Sequence, residues 1–246
     1  MTGLSTFLTD NPLIIMYLIA HFLSDFQLQS QETSDKKNSE MNYLIKHLLG
    51  VALPLVIISI MIPSAVDISL LVWLSHAVID FSKTYLAKLL KLTQIKSFAI
   101  DQILHIICIL GFVFLLWKGQ VPAFLENSYL KVILFMVLIT KPSNIAFKIF
   151  FERFQPRTQA KLDTISGAGA MIGNLERIVI GICMVMGQFA SVGLVFTAKS
   201  IARYDKISKD PVFAEYYLIG SLFSILSVFV AAWICFFRTN YIDIVM

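Results

Sequence analysis

NPLIIMYLIAHFLSDFQLQS, residues 11–30, decides the fold. Its apolar run continues into His21 and Asp25, four positions apart, which a helix places on one face. Hydrocarbon is a costly place for either side chain, so the stretch reads as a membrane span whose polar pair turns toward other helices. Asn11 followed by Pro12 supplies a helix start. The run lacks a basic leader and an A-x-A-like site, so a retained span is expected rather than a signal peptide.

The rest of the chain agrees. Of its 246 residues 57% are hydrophobic and only 15% charged, and mean hydropathy is +0.77, with the apolar residues in runs of helix-spanning length. An all-α, polytopic transmembrane helical bundle is predicted, with full spans near 12–28, 43–62, 65–86, 98–117, 129–151 and 216–237. One membrane domain covers 1–246, in which 12–117 forms a four-helix His/Asp bundle and 129–237 carries the C-terminal helices. Lys36 and Lys37, the Lys83–Lys96 stretch, and Lys148, Arg153, Arg157 and Lys161 put their loops in the cytoplasm and the N-terminus outside. A single crossing by 170–203 would strand Lys199, Arg203, Lys206 and Lys209 outside. A re-entrant helical hairpin turning at Gly187 and Gln188 avoids this, and a seventh span is the alternative.

The net charge of +4 is spread over loops and makes no case for nucleic acid, so membrane lipids are the expected partners. A homo-oligomer or an additional partner protein stays open. Cys108, Cys183 and Cys235 read as small buried hydrophobes.

All four histidines, His21, His47, His76 and His105, fall in the first four spans. Three have an aspartate one turn away, as HFLSD (Asp25), HAVID (Asp80) and, reversed, DQILH (Asp101). Because successive spans alternate in direction, the reversal gives the same vertical order, histidine deeper than aspartate. Seven ligand-type side chains therefore converge. Isolated interhelical hydrogen bonds contribute only about 0.6 kcal/mol, whereas each intramembrane aspartate costs about 2.5–3.5 kcal/mol. A divalent transition metal, Zn ahead of Fe or Mn, meets that cost, as one or two ions. A proton or ion pathway and structural hydrogen bonding are the other readings.

HFLSDFQLQ, HAVIDFSK and DQILH, followed by IGNLER, GQFASVG, AKSIARY and EYYLIGSLFS, resemble the bacterial integral-membrane family known as domain of unknown function 3307, over nearly the whole chain. The resemblance implies a bacterial cytoplasmic membrane and no activity. In ligand type and setting the cluster is also similar to membrane-bound metal-dependent hydrolases, an analogy only.

Two functions follow. One is a metal-dependent hydrolase of an amphiphilic, lipid-like substrate, with a metal-activated water as nucleophile and an unligated Asp25, Asp80 or Asp101 as general base. The other is a proton or metal-ion transporter or channel, or a membrane subunit with a structural metal. In the hairpin reading Arg177, Lys199 and Arg203 return to one depth, where they either bind an anionic substrate group or pair with Glu176 and Glu215.

Overall fold

The computed structural model describes residues 3–125, 127–156 and 167–237. Arg157 and Lys161, part of the basic loop invoked above, lie outside the described residues. The described chain is helical without strands, and six helical segments are long and apolar enough to cross a membrane. They are Met41–Met61, Pro63–Leu89, Gln94–Leu116, Asn127–Phe154, Ala168–Val185 and Pro211–Cys235, with a bent pair, Leu4–Asp10 and Pro12–Leu28, as a seventh candidate. The chain divides into two compact units, Thr6–Leu134 and Met1–Ser5 with Phe135–Met246.

In the first unit α1 (Leu4–Asp10) meets α2 (Pro12–Phe22) at a bend of 103°. Pro12 sits at the first turn of α2, where its missing N–H costs nothing, and Asn11 Nδ2 donates to Phe7 O. The helical stretch expected over 12–28 is present as Pro12–Leu28, but within it α2 gives way to a π-helical turn, Leu23–Leu28, which contains Asp25. Such turns are rare and concentrate at functional sites. A short α3 (Gln31–Lys36), capped by Ser30, leads to α4 (Met41–Met61), α5 (Val66–Leu89) and α6 (Gln94–Leu116).

Helices α2, α4, α5 and α6 close a ring in which each packs on two others. Their buried positions recur at helical spacing: Leu44, His47, Val51, Leu55 and Ile58 on α4, Ile68, Val72, His76 and Asp80 on α5, Asp101, His105, Ile109 and Val113 on α6. One end of the ring interior is thus polar and the other aliphatic. The outward faces carry Leu49, Leu53, Ile60, Leu70, Val78, Ile107 and Leu115, all exposed. A water-soluble fold does not present such a surface, whereas lipid does not penalise it. Between helices with no hydrophobic drive, packing and sparse polar ties hold the ring, such as Tyr17 Oη to Ser69 Oγ at 2.8 Å and Trp73 Nε1 to Leu48 O at 3.0 Å.

The second unit holds the end of α7 (Asn127–Ile139), then α8 (Lys141–Phe151), α9 (Ala168–Val185), α10 (Phe189–Ile201), α11 (Tyr204–Lys209) and α12 (Pro211–Cys235). The span expected over 129–151 is present within Asn127–Phe154, with a local break at Thr140, because Pro142 has no N–H to return to Leu138 O. Ser143 Oγ takes that carbonyl instead, at 2.8 Å. Helices α9 and α10 form a hairpin about Gly187, whose φ of 71° suits glycine. Its arms are unequal, 18 and 13 residues, so the first is of spanning length rather than half-length.

Candidate metal centre

The four-helix ring brings all seven predicted side chains to one place. His21 comes from α2, Asp25 from the π turn, His47 from α4, His76 and Asp80 from α5, Asp101 and His105 from α6. All four imidazoles are buried, and Asp80 is 2% exposed. Ring centroids lie 4.1 Å apart for His76 and His105, 4.9 Å for His21 and His105, and 5.3 Å for His47 and His76.

Within the cluster four ligand atoms stand close together, with five of their separations between 3.0 and 3.4 Å. His47 Nε2 lies 3.1 Å from His76 Nε2, 3.4 Å from Asp25 Oδ1 and 3.0 Å from Asp80 Oδ2. His76 Nε2 lies 3.1 Å from Asp25 Oδ1 and 3.4 Å from Asp80 Oδ2. A tetrahedral shell with bonds near 2.0 Å has edges of about 3.3 Å. Asp25 Oδ1, close as it is to both ring nitrogens, makes no hydrogen bond with either.

Beside this set are further acceptors without donors. His105 Nδ1 is committed to Asp101 O at 2.8 Å, which leaves the lone pair on Nε2. Gln102 Nε2 donates to Asp25 Oδ2 and Asp101 Oδ2, so its Oε1 accepts from His21 Nε2 at 3.2 Å and the lone pair of His21 is on Nδ1. Buried His21 Nδ1, Asp25 Oδ1, Asp101 Oδ1 and His105 Nε2 therefore all lack a hydrogen-bond partner. Four orphan acceptors in one buried cluster call for a cation or for water donors. A void of about 10 Å³ touching His21, His76 and His105 has room for about one water.

Three residues at the centre escape a reading by His/Asp spacing. Lys37 Nζ donates to both Asp80 oxygens, at 3.0 and 3.1 Å, and Lys83 Nζ to Asp101 Oδ2 at 2.9 Å. Burial works against the Lys37 charge, but the carboxylates of Asp25 and Asp80 outweigh it and hold the ammonium above its ordinary range. Lys83 could have been found, seven residues beyond His76 on the same helix face; Gln102 adjoins Asp101; Lys37 folds back from a connector and leaves no periodic signal. The lysines revise the energetic argument, because they supply two of the charges that three buried carboxylates require. A cleft of about 150 Å³ lined by Lys37, Asn38, Ser39, Glu40 and Asp80 reaches the cluster from the connector side.

A family model described as a protein of unknown function, DUF3307, matches residues 13–140, more than half of the chain. The chain belongs to that family. The DUF3307 match contains all seven cluster residues together with Lys37, Lys83 and Gln102. It ends at residue 140, short of IGNLER and the three later motifs, so the resemblance drawn from the sequence over nearly the whole chain is matched only in its first part. No curated protein and no solved structure matches the chain.

The remaining predicted residues lie in the second unit. Arg177 is buried, with Nε donating to Ile139 O and Nη2 to Thr140 O, Asn144 Oδ1 and Asn174 Oδ1, so it caps the broken end of α7. Lys199 pairs with Glu176 at 2.6 Å and donates to Ser221 Oγ on α12 at 3.1 Å. Arg203 is exposed, and Glu215, also exposed, joins no ion pair among the described residues.

Proposed function

We propose that this DUF3307 protein is a multi-pass protein of a bacterial cytoplasmic membrane, N-terminus outside, that hydrolyses an amphiphilic, lipid-like substrate at a divalent-metal centre. The observation that carries the reading is the close set of His47, His76, Asp80 and Asp25 ligand atoms, five of whose separations are 3.0–3.4 Å, near the edge length of a tetrahedral shell. His47, His76 and Asp80 would hold the ion, a two-histidine, one-carboxylate set of the kind that leaves a fourth position for chemistry, and Zn fits it ahead of Fe or Mn. When bound, the ion supplies Lewis acidity and a more acidic water.

Asp25 Oδ1, 3.1 Å from His76 Nε2 and 3.4 Å from His47 Nε2, has no donor of its own and stands beside that fourth position, placed to take a proton as general base. Gln102 holds the other Asp25 oxygen and fixes the carboxylate's orientation. Lys37 on Asp80 is the outer partner that orients a ligating carboxylate. Asp101, held by Lys83, and the orphan nitrogens of His21 and His105 then serve substrate or water. Three carboxylates against two lysines leave one net negative charge, which a single divalent ion overturns; the charge balance favours one ion over two.

Access favours a hydrolase over a transporter. The cleft opens on the connector side, whereas Val51, Leu55, Ile58, Val72, Ile109 and Val113 fill the other end of the ring. A transporter needs a path from both sides.

The test is chelator-sensitive hydrolysis of a panel of ester and phosphoester amphiphiles by the purified full-length chain. Asp25→Asn is expected to keep the metal and lose turnover by at least about 100-fold. His76→Ala is expected to lose both. Metal-loaded protein inert on the panel, with Asp25→Asn indistinguishable from wild type in metal affinity and stability, removes the hydrolase and leaves a structural metal.

A further inference from the structure

The second unit contains a cavity of about 200 Å³ that the hydrolase reading does not use. Its polar wall is Arg177, Lys199, Arg203, Glu176 and Asn144, and its apolar wall is aromatic, with Phe147, Phe213, Tyr216 and Phe223. Three cations face one carboxylate, and Glu176 is already committed to Lys199. Arg177 has no carboxylate within ion-pair distance among the described residues, and its backbone and asparagine acceptors occupy only Nε and Nη2. The two N–H groups of Nη1 have no partner. Nη1 points at the space beside Gly173, where an added Cβ would sit 3.3 Å from it. Arg177 is 3% exposed, so this is a buried guanidinium edge turned into a cavity, and Arg203 stands exposed at the rim.

We propose that this cavity binds a phosphate group, with Arg177 Nη1 and Arg203 as donors and the aromatic wall taking the first apolar atoms attached to it. A guanidinium edge presents paired donors matched to phosphate oxygens. The net positive wall excludes a cationic head group. The volume falls below the roughly 300–1,000 Å³ of pockets that enclose a drug-sized molecule, so the cavity seats a head group and not a whole lipid. Gly173 is the enabling residue, since a side chain there would cover the only unpartnered edge of Arg177. The site stands independently of the metal reading.

The same chemistry can come from a lipid or from free phosphate, and two arms separate them. The full-length chain in phosphatidylcholine nanodiscs is doped with spin-labelled phosphatidic acid, and the chain in neutral detergent is titrated with inorganic phosphate. Immobilisation of phosphatidic acid assigns a lipid head group, and saturable phosphate binding alone assigns the free anion. In either arm Gly173→Ala is expected to weaken binding about tenfold, the loss of one charged hydrogen bond, and Arg203→Gln about threefold. Arg203→Gln alters only the exposed rim, so it decides the matter should Gly173→Ala melt at lower temperature. No preference for phosphatidic acid over phosphatidylcholine together with no phosphate binding, or binding unchanged in Arg203→Gln and in folded Gly173→Ala, overturns the proposal.

Discussion

The two units of this molecule bury polar groups in opposite senses. In the His/Asp cluster of Thr6–Leu134 the orphan atoms are acceptors: two carboxylate oxygens and two imidazole nitrogens with nothing to donate to them. In the C-terminal unit the surplus is of donors, the two Nη1 N–H groups of Arg177, left over after its other N–H groups have capped a broken helix. A buried acceptor set is completed by a cation and a buried donor set by an anion. The family match draws the same line, covering the first set and ending short of the second.

The contrast can be broken at the lysines, which are the donors the first unit already has. Lys37→Met leaves the buried Asp80 without its ammonium partner, with only the His47 and His76 imidazoles beside it, and is expected to destabilise chelator-treated protein by about 3 kcal/mol. Added Zn should recover much of that loss, read by thermal melting in detergent with and without the ion. A variant as stable as wild type in chelator would mean that the buried pair carries no weight. The raised pKa of Lys37 also gives a sign: its contribution is complete below the unfolded-state lysine value and is lost as pH rises through the higher folded-state value.

A smaller effect sharpens the other half of the comparison. Ser143→Ala removes the hydroxyl that replaces the N–H missing at Pro142, and is expected to cost about 1 kcal/mol without touching metal content. Lys83→Gln, acting on a partly exposed pair, should cost less than about 1 kcal/mol. A loss from Lys83→Gln as large as that from Lys37→Met would place the charge balance of the cluster on Asp101 instead of Asp80. Topology provides a check that needs no energy: single cysteines at positions 36, 88 and 206 should all label from the cytoplasmic side. Labelling of position 206 alone from outside would turn the α9–α10 hairpin into a crossing.

Much of the cluster was legible because helical spacing is a physical constraint. Buried His76 and Asp80, or Asp101 and His105, must share a face, and alternating span direction forces the reversed order that the sequence displays. The turn at Gly187 was legible for a similar reason, since a hairpin there needs a residue that tolerates positive φ. Contacts made by segments without periodicity were not. Lys37 reaches Asp80 from a connector, and the π turn at Leu23–Leu28 has no composition of its own. The break at Thr140 had a signal in Pro142, outweighed by the apolar residues on both sides.

Elemental analysis of the purified full-length chain, before and after dialysis against Zn, tests the central claim most directly. About one transition-metal ion per chain is expected, abolished by His47→Ala and by His76→Ala and retained in Arg203→Gln. A wild-type chain that holds no metal above background, and whose melting temperature does not change on chelation, contradicts the account.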